Sequence, residues 1–343
     1  MELSERKKQI LQAVVDDYIK TAEPIGSRTI VKRHDINLSP ATIRNEMADL
    51  EDMGFLEKPH TSAGRIPSKT GYRFYVNSLM RKSKLSLEET EKLRMALEER
   101  MGEMDALIAE ASNIVSRLTA YTVIAAAPRA KNLTVKSIKL LPLGGNNLLL
   151  SIINSIGIVK NAGIELSKVP DDNFVYAYSK LLSETLCGKS PHDLSEEQLS
   201  ELQRKASDYP EFYKKVISYL FEWFEQSARG GVYADGVVNI FNHPEYNDIE
   251  RAKKFIGFLD DKENIMGLLD GGGDKLDIKI GDENGREELA DCSVVTANYN
   301  VGDKMQGSIG VLGPMRMDYS RVISSLEVIT DRLNFLIYKM FFE

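Results

Sequence analysis

The residues with chemical potential cluster near the amino terminus, and they are types that meet a polyanion rather than types that break a bond. Ser39, Thr42, Arg44 and Asn45 come first, and Lys58, His60, Thr61, Ser62, Arg65 and Lys69 follow closely. An arginine can bridge guanine O6 and N7, an asparagine can pair bidentately with adenine, and a threonine can touch a thymine methyl or a phosphate. Lys58, Arg65 and Lys69 suit phosphate contacts, which position a protein on a duplex without reading its sequence. The rest of the chain offers little competing chemistry. Gly271-Gly272-Gly273 lacks the lysine and hydroxyl residue of a phosphate-binding loop. His192 and His243 are isolated, Asp248, Asp260 and Asp261 form no paired metal motif, and Cys187 and Cys292 make no C-x-x-C pair. The expectation is therefore a protein that is not an enzyme, with no cofactor, no metal and two reduced thiols.

The elements that must position these side chains are legible in the pattern. Ser4 can cap a helix in which Ile10, Leu11, Val14, Val15, Tyr18 and Ile19 form one apolar stripe. Thr21-Ala22-Glu23 breaks it, and Pro24 suits the first turn of a second helix containing Ile25, Ile30 and Val31 and ending near His34-Asp35. Ser39-Pro40 is the sharpest start signal: the serine can accept from an orphan backbone N–H, and the proline sits where its missing N–H costs nothing. A third helix is expected from Pro40 to about Met53, with Ile43, Met47 and Leu50 facing the core and Thr42, Arg44 and Asn45 outside near its positive dipole end. Gly54-Phe55-Leu56-Glu57 then reads as a strand, His60 to Arg65 as a polar turn, and Ile66-Pro67 as the return. Three helices and a small hairpin make a winged helix-turn-helix. Such a module can instead bind protein; Glu46, Asp49 and Glu51 make the surface mixed, and Arg44, Lys58, Arg65 and Lys69 make it locally basic.

Charge agrees with that division. The 343 residues, enough for two or three domains, hold 44 Lys/Arg against 51 Asp/Glu, and the net of −7 excludes a uniformly basic nucleic-acid coat. Residues 1–84 nevertheless carry fifteen basic against eleven acidic side chains, net +4, which leaves −11 for the remainder. No run of 18 apolar residues occurs, and Met1 to Arg6 lacks the order of a signal peptide, so a cytoplasmic location without membrane contact is expected.

The body reads as α+β. Residues 86–118 form one long helical tract with Leu93, Leu97, Met101, Met104, Ile108, Ala111, Val115 and Leu118 in a stripe. Strands are expected at Val123–Ala127, Val135–Leu143, Asn147–Ile158, 232–241, Cys292–Asn298 and Gly307–Leu312. Helices are expected at 172–188, 195–206, 210–228, 248–259 and from about Ser320 to Phe342. Phe212, Val216, Leu220, Phe221, Trp223 and Phe224 suit either a dimer contact or ordinary core. Tyr72, Phe74, Tyr75 and Val76 look like packing that anchors the wing to the next element.

Several stretches together resemble one family, the heat-inducible transcription repressor HrcA. They are Ser39-Pro40-Ala41-Thr42-Ile43-Arg44-Asn45-Glu46-Met47, Leu50 to Leu56, His60 to Ser68, Gly71-Tyr72-Arg73-Phe74-Tyr75-Val76, and, near the other end, Gly307 to Pro314 and Met315-Arg316-Met317-Asp318-Tyr319. The resemblance implies a sequence-specific repressor of heat-shock chaperone operons that binds the inverted-repeat CIRCE operator on double-stranded DNA as a homodimer and is relieved by heat stress, with the GroEL chaperonin promoting the active form. It also implies a winged helix, a GAF-like α+β domain and a dimerising domain inserted into it. The expected boundaries are 1–85 for the winged helix, 86–185 with 275–343 for the connector and split GAF-like domain, and 186–274 for the insertion. A winged-helix interaction module and a ligand-controlled regulator of another operon are the alternatives.

Overall fold

The computed structural model describes residues 3–59, 64–130, 133–155, 159–168, 170–229, 231–270, 275–301 and 305–342. Helix α1 (Glu5–Thr21) starts where Ser4 accepts from the Lys7 N–H at 3.4 Å, and it buries Ile10, Leu11, Val14 and Val15 completely. Helices α2 (Ser27–Arg33) and α3 (Pro40–Asp52) follow, then the paired strands β1 (Leu56–Glu57) and β2 (Ile66–Pro67). Helix α4 (Lys69–Phe74) continues as a wider turn through Tyr75–Leu79. The expected winged helix is thus present, with one correction. The second helix starts at Ser27 rather than Pro24, because Ile25 is drawn into pairing with the wing: its N–H donates to the Arg65 carbonyl at 2.9 Å, and the Arg65 N–H donates to the Ile25 carbonyl at 2.8 Å. The first of those bonds satisfies an N–H that a first helical turn would leave orphaned.

Two glycines make this closure possible for a steric reason. A β-carbon at Gly64 would lie 2.3 Å from the Ile25 carbonyl oxygen, and one at Gly71 would lie 2.1 Å from that of Phe55. Backbone meets backbone at both points, so nothing can swing aside.

The tract at 86–118 is two helices, α5 (Leu87–Glu98) and α6 (Met104–Thr119). Gly102 lies between them at φ +109°, a conformation a continuing helix cannot hold, and Met101 of the expected stripe is exposed. Strand β3 (Thr122–Ala130) comes next.

Two compact units then become evident: residues 1–127, 232–299 and 308–336 form one, and 128–231, 300–307 and 337–343 form the other. The second unit contains the antiparallel sheet of β4 (Val135–Gly144), β5 (Asn147–Asn154) and β6 (Val159–Glu165), followed by α7 (Asp172–Leu186), α8 (Glu196–Lys205) and α9 (Pro210–Arg229). Leu148, Leu150 and Ile152 alternate into its core as period two requires. Phe212, Val216, Leu220, Trp223 and Phe224 join them, so this apolar face of α9 packs within its own unit.

The first unit resumes with β7 (Val232–Asp235), α10 (Ile249–Asp260), α11 (Lys262–Leu269), β8 (Leu276–Ile280), β9 (Cys292–Val301), β10 (Met305–Pro314) and α12 (Tyr319–Phe342). Its sheet has the order β7-β3-β10-β9-β8. Ile124 and Ala126 join the core under α10 and α11, while Val123, Ala125 and Ala127, on the other face of β3, are equally buried. Both faces are therefore covered, which is why β3 reads as an unbroken apolar run.

The expected domain limits need correction on these grounds. β4 to β6 and α7, assigned to the split domain, form the sheet of the unit at 128–231, whereas β7, α10 and α11, assigned to an insertion at 186–274, belong to the five-stranded sheet and its core. The strand at 232–241 stops at Asp235, because Gly236 turns at φ +64° against Ser116. Among the described residues no helix is long and apolar enough to cross a membrane.

The glycine contacts are directly testable. Gly64→Ala and Gly71→Ala should each destabilise the winged helix by about 1 to 3 kcal/mol, whereas Gly26→Ala, whose β-carbon would meet open space, should change little. Amide exchange across residues 25–72 would measure this, and equal protection in all three variants would contradict the closure described.

Candidate nucleic-acid interface

Helix α3 is built outward from its cap. Ser39 Oγ accepts from the Thr42 N–H at 3.1 Å and lies 2.9 Å from the Thr42 hydroxyl, with Pro40 in the first turn. Ile43 and Leu50 are fully buried and Met47 nearly so, which fixes the rotation of the helix and turns Ala41, Arg44 and Asn45 to solvent. Lys58, just beyond β1, is exposed as well. Among the described residues, the side chains of Arg44, Asn45 and Lys58 have no partner within the chain. Arg44 and Asn45 stand on the outer face of α3, and Lys58 just beyond β1.

Three of the four acidic residues of α3 are matched by cations from elsewhere, while Asp52, in its last turn, is exposed with no ion pair among the described residues. Lys7 Nζ lies 2.8 Å from both Glu46 Oε2 and Asp49 Oδ2, and Arg6 is 3.4 Å from Glu46. The Asp49 and Glu46 carboxylates hold the Lys7 ammonium above the ordinary lysine range. Glu51 is met by Arg65, with Nε at 2.7 Å and Nη2 at 2.6 Å from Oε2. Such solvated pairs add little stability. Their effect is on the field: three negative charges are neutralised, which leaves the positive helix end and Arg44 to set the potential at the amino-terminal half of the outer face.

The residues singled out from the sequence therefore separate. Ser39 caps, Thr42 is half-buried beside it, and Arg44, Asn45 and Lys58 are available. Arg65 faces α3 instead of solvent. Lys69 opens α4 and pairs with Asp282 at 2.6 Å. His60, Thr61 and Ser62 lie outside the described residues. Lys7 carries no signal in the sequence and Glu51 only that of an acid on a mixed surface, since no local spacing joins either to its partner. On α2, Arg28 and Lys32 are further exposed cations.

A second set of contacts seats this module on the rest of its unit. Arg73 donates to the Ile278 carbonyl at 2.6 Å and pairs with Glu283, and the rings of Tyr72 and Tyr319 lie 6.3 Å apart; within the module, Tyr75 donates to Asp16 of α1 at 2.6 Å. Arg316 pairs with Glu245 and donates to the Ile19 carbonyl at the end of α1 at 3.2 Å. Asp318 Oδ1 accepts from the Arg321 N–H at 3.0 Å, steadying the start of α12. Arg73 is thus a brace between α4 and β8.

Comparison with known proteins identifies this arrangement. Residues 2–79 match the model of the winged helix-turn-helix transcription repressor, HrcA DNA-binding, and residues 105–323 match that of the HrcA protein C terminal domain. The chain belongs to the HrcA family. It is 39% identical over 337 residues to the heat-inducible transcription repressor HrcA of Acetivibrio thermocellus, covering 97% of this chain and 96% of that one. It is 41% identical over 344 residues to the repressor of the same name from Ruminiclostridium cellulolyticum, with 99% of each covered. A crystal structure at 2.2 Å resolution, described as a hypothetical protein, shares the fold at TM-score 0.60 and 24% identity, covering 98% of both chains. Two sequence stretches that carried the family resemblance, Gly71 to Val76 and Met315 to Tyr319, meet in the structure through Tyr72, Tyr319 and their neighbours.

Ser39→Ala should lower winged-helix stability by about 1 kcal/mol, and Ser39→Asp should retain it. Urea unfolding reads this; an alanine variant as stable as the parent would remove Ser39 from the cap.

Proposed function

We propose that this HrcA-family repressor binds the inverted-repeat CIRCE operator of chaperone operons as a homodimer, each α3 entering the major groove of one half-site. The observation that carries the reading is the outer face of α3: Arg44 and Asn45 exposed beside a capped positive helix end, with Glu46, Asp49 and Glu51 of the same helix neutralised from α1 and the wing. Arg44 and Asn45 read base edges, Thr42 supports them at the cap, and Lys58 contacts the backbone together with the cations of α2. Two-fold symmetry doubles a short half-site into an inverted repeat. The five-stranded sheet corresponds to the GAF-like core and residues 128–231 to the inserted dimerising domain, in place of the limits expected from sequence. Arg44→Ala should cost about 1 to 3 kcal/mol on the operator alone, whereas Lys58→Ala should weaken all duplexes and reduce the salt slope by about 0.9. Equal losses for Arg44→Ala on operator and scrambled duplex would sink base reading, and a monomer by sedimentation, bound one per complete operator, would sink the dimer.

Relief of repression by heat follows if warming opens the body and removes the two-site geometry, with the GroEL chaperonin returning chains to the competent form. Cys292 supplies a reporter. Its thiol is buried 2.7 Å from the Tyr246 hydroxyl, and burial pushes it up to about 12, whereas Cys187 is exposed. Alkylation below pH 9 should label Cys187 in the native chain and reach Cys292 only as operator binding is lost on heating. Loss of binding with Cys292 still protected and the dimer intact, or no recovery with added chaperonin, would overturn the mechanism.

One observation favours ligand control as a second reading. The Tyr72 hydroxyl is buried without a partner among the described residues, and Tyr72 lines a cleft of about 270 Å³ with Tyr18, Glu57, Lys69 and Arg316. A small molecule that changes operator affinity and loses its effect in Tyr72→Phe would support it.

A further inference from the structure

Arg65 has the charge and the place in the wing that suggest a phosphate contact, yet its surroundings assign it otherwise. Its backbone is held at both the N–H and the carbonyl by Ile25, and the neighbouring Gly64 is packed against the Ile25 carbonyl, so the root of β2 cannot rotate. From that fixed point the guanidinium reaches inward, and both Nε and Nη2 grip Glu51 in the last turn of α3. The side chain keeps 19% of its exposure, against an exposed Lys58 with no partner. Glu51 is itself informative: an acidic side chain at the carboxyl end of a helix opposes the dipole, and becomes favourable only when a cation meets it.

We infer that Arg65 is a positioning residue that, through Glu51, sets the angle between the recognition helix and the wing, and does not contact phosphate. This rests on the proposed DNA-binding role. The wing strands then reach the duplex only where α3 is already seated, and affinity depends on the pair while the number of neutralised phosphates does not.

Full-length protein and a duplex carrying the CIRCE inverted repeat, titrated over a range of salt, test this through the opposite signs that the two roles predict. If Arg65 positions, Arg65→Ala and Glu51→Gln should each weaken binding by at least about fivefold with the salt slope unchanged, and together by no more than either alone. The exchanged pair Glu51→Arg with Arg65→Glu should recover part of the affinity. If Arg65 contacts phosphate, Glu51→Gln frees it and tightens binding, and Arg65→Ala lowers the slope by about 0.9; either result overturns the inference. Circular dichroism checks that each variant folds. Where Arg65→Ala does not, Arg65→Lys decides: it keeps the charge but loses the two-nitrogen grip, so loss of affinity at unchanged slope supports positioning and parental affinity overturns it. A parent chain that fails to bind the duplex at all would overturn the DNA-binding reading and this inference with it, whereas a binding parent with the phosphate-contact pattern would overturn the inference alone.

Discussion

The approach of Gly64 to Ile25 is the contact on which the DNA-facing side depends. With a hydrogen where other residues carry a β-carbon, the chain at Gly64 comes within reach of the Ile25 carbonyl, and the two backbone bonds between Ile25 and Arg65 close. That closure takes the start of α2 out of helix and fastens the wing to the segment before it. It also brings Arg65 to Glu51. Hydrogen bonds of this kind contribute modestly one by one; their effect here is geometric, because two strands of only two residues each would not hold an angle by themselves.

Charge on α3 follows from the same assembly. Its sequence mixes Arg44 with Glu46, Asp49 and Glu51, and taken alone it is an acidic helix. Folding brings cations from α1 or β2 to Glu46, Asp49 and Glu51, and leaves Arg44, and Asp52 in the last turn, without a partner among the described residues. The potential of the helix's outer face is therefore set by what the fold has cancelled. On the opposite side of the module, Tyr72, Arg73 and Arg316 tie α4 and the end of α1 to the five-stranded body. The same short domain thus keeps some basic residues on its outer face and commits others to its own support.

The body shows how far periodicity carries. Alternation placed β4 and β5, and the Gly144-Gly145 turn between them adopts positive φ at both glycines as a tight hairpin needs. β6, α11 and β8 were not recognised: β6 has few buried side chains, and β8 is half-buried along most of its length, so neither offers the contrast that a pattern requires. The apolar tract of α9 was ambiguous for a different reason. A stripe states that a face is covered without stating by what, and here β4 to β6 and α7 cover it.

The amino-acid sequence by itself determined the local elements of the recognition module: the Ser39-Pro40 start of α3, the burial of Ile43, Met47 and Leu50, and the exposure of Arg44 and Asn45. Each depends on neighbours within a few residues, where helical spacing and capping chemistry act. Only the tertiary structure decided the displaced start of α2, the pairing of Arg65 with Glu51 and of Lys69 with Asp282, and the boundaries of the unit at 128–231. Those outcomes turn on contacts between residues up to about two hundred positions apart, and one basic side chain in a sequence is chemically the same whether a phosphate or a distant carboxylate will meet it.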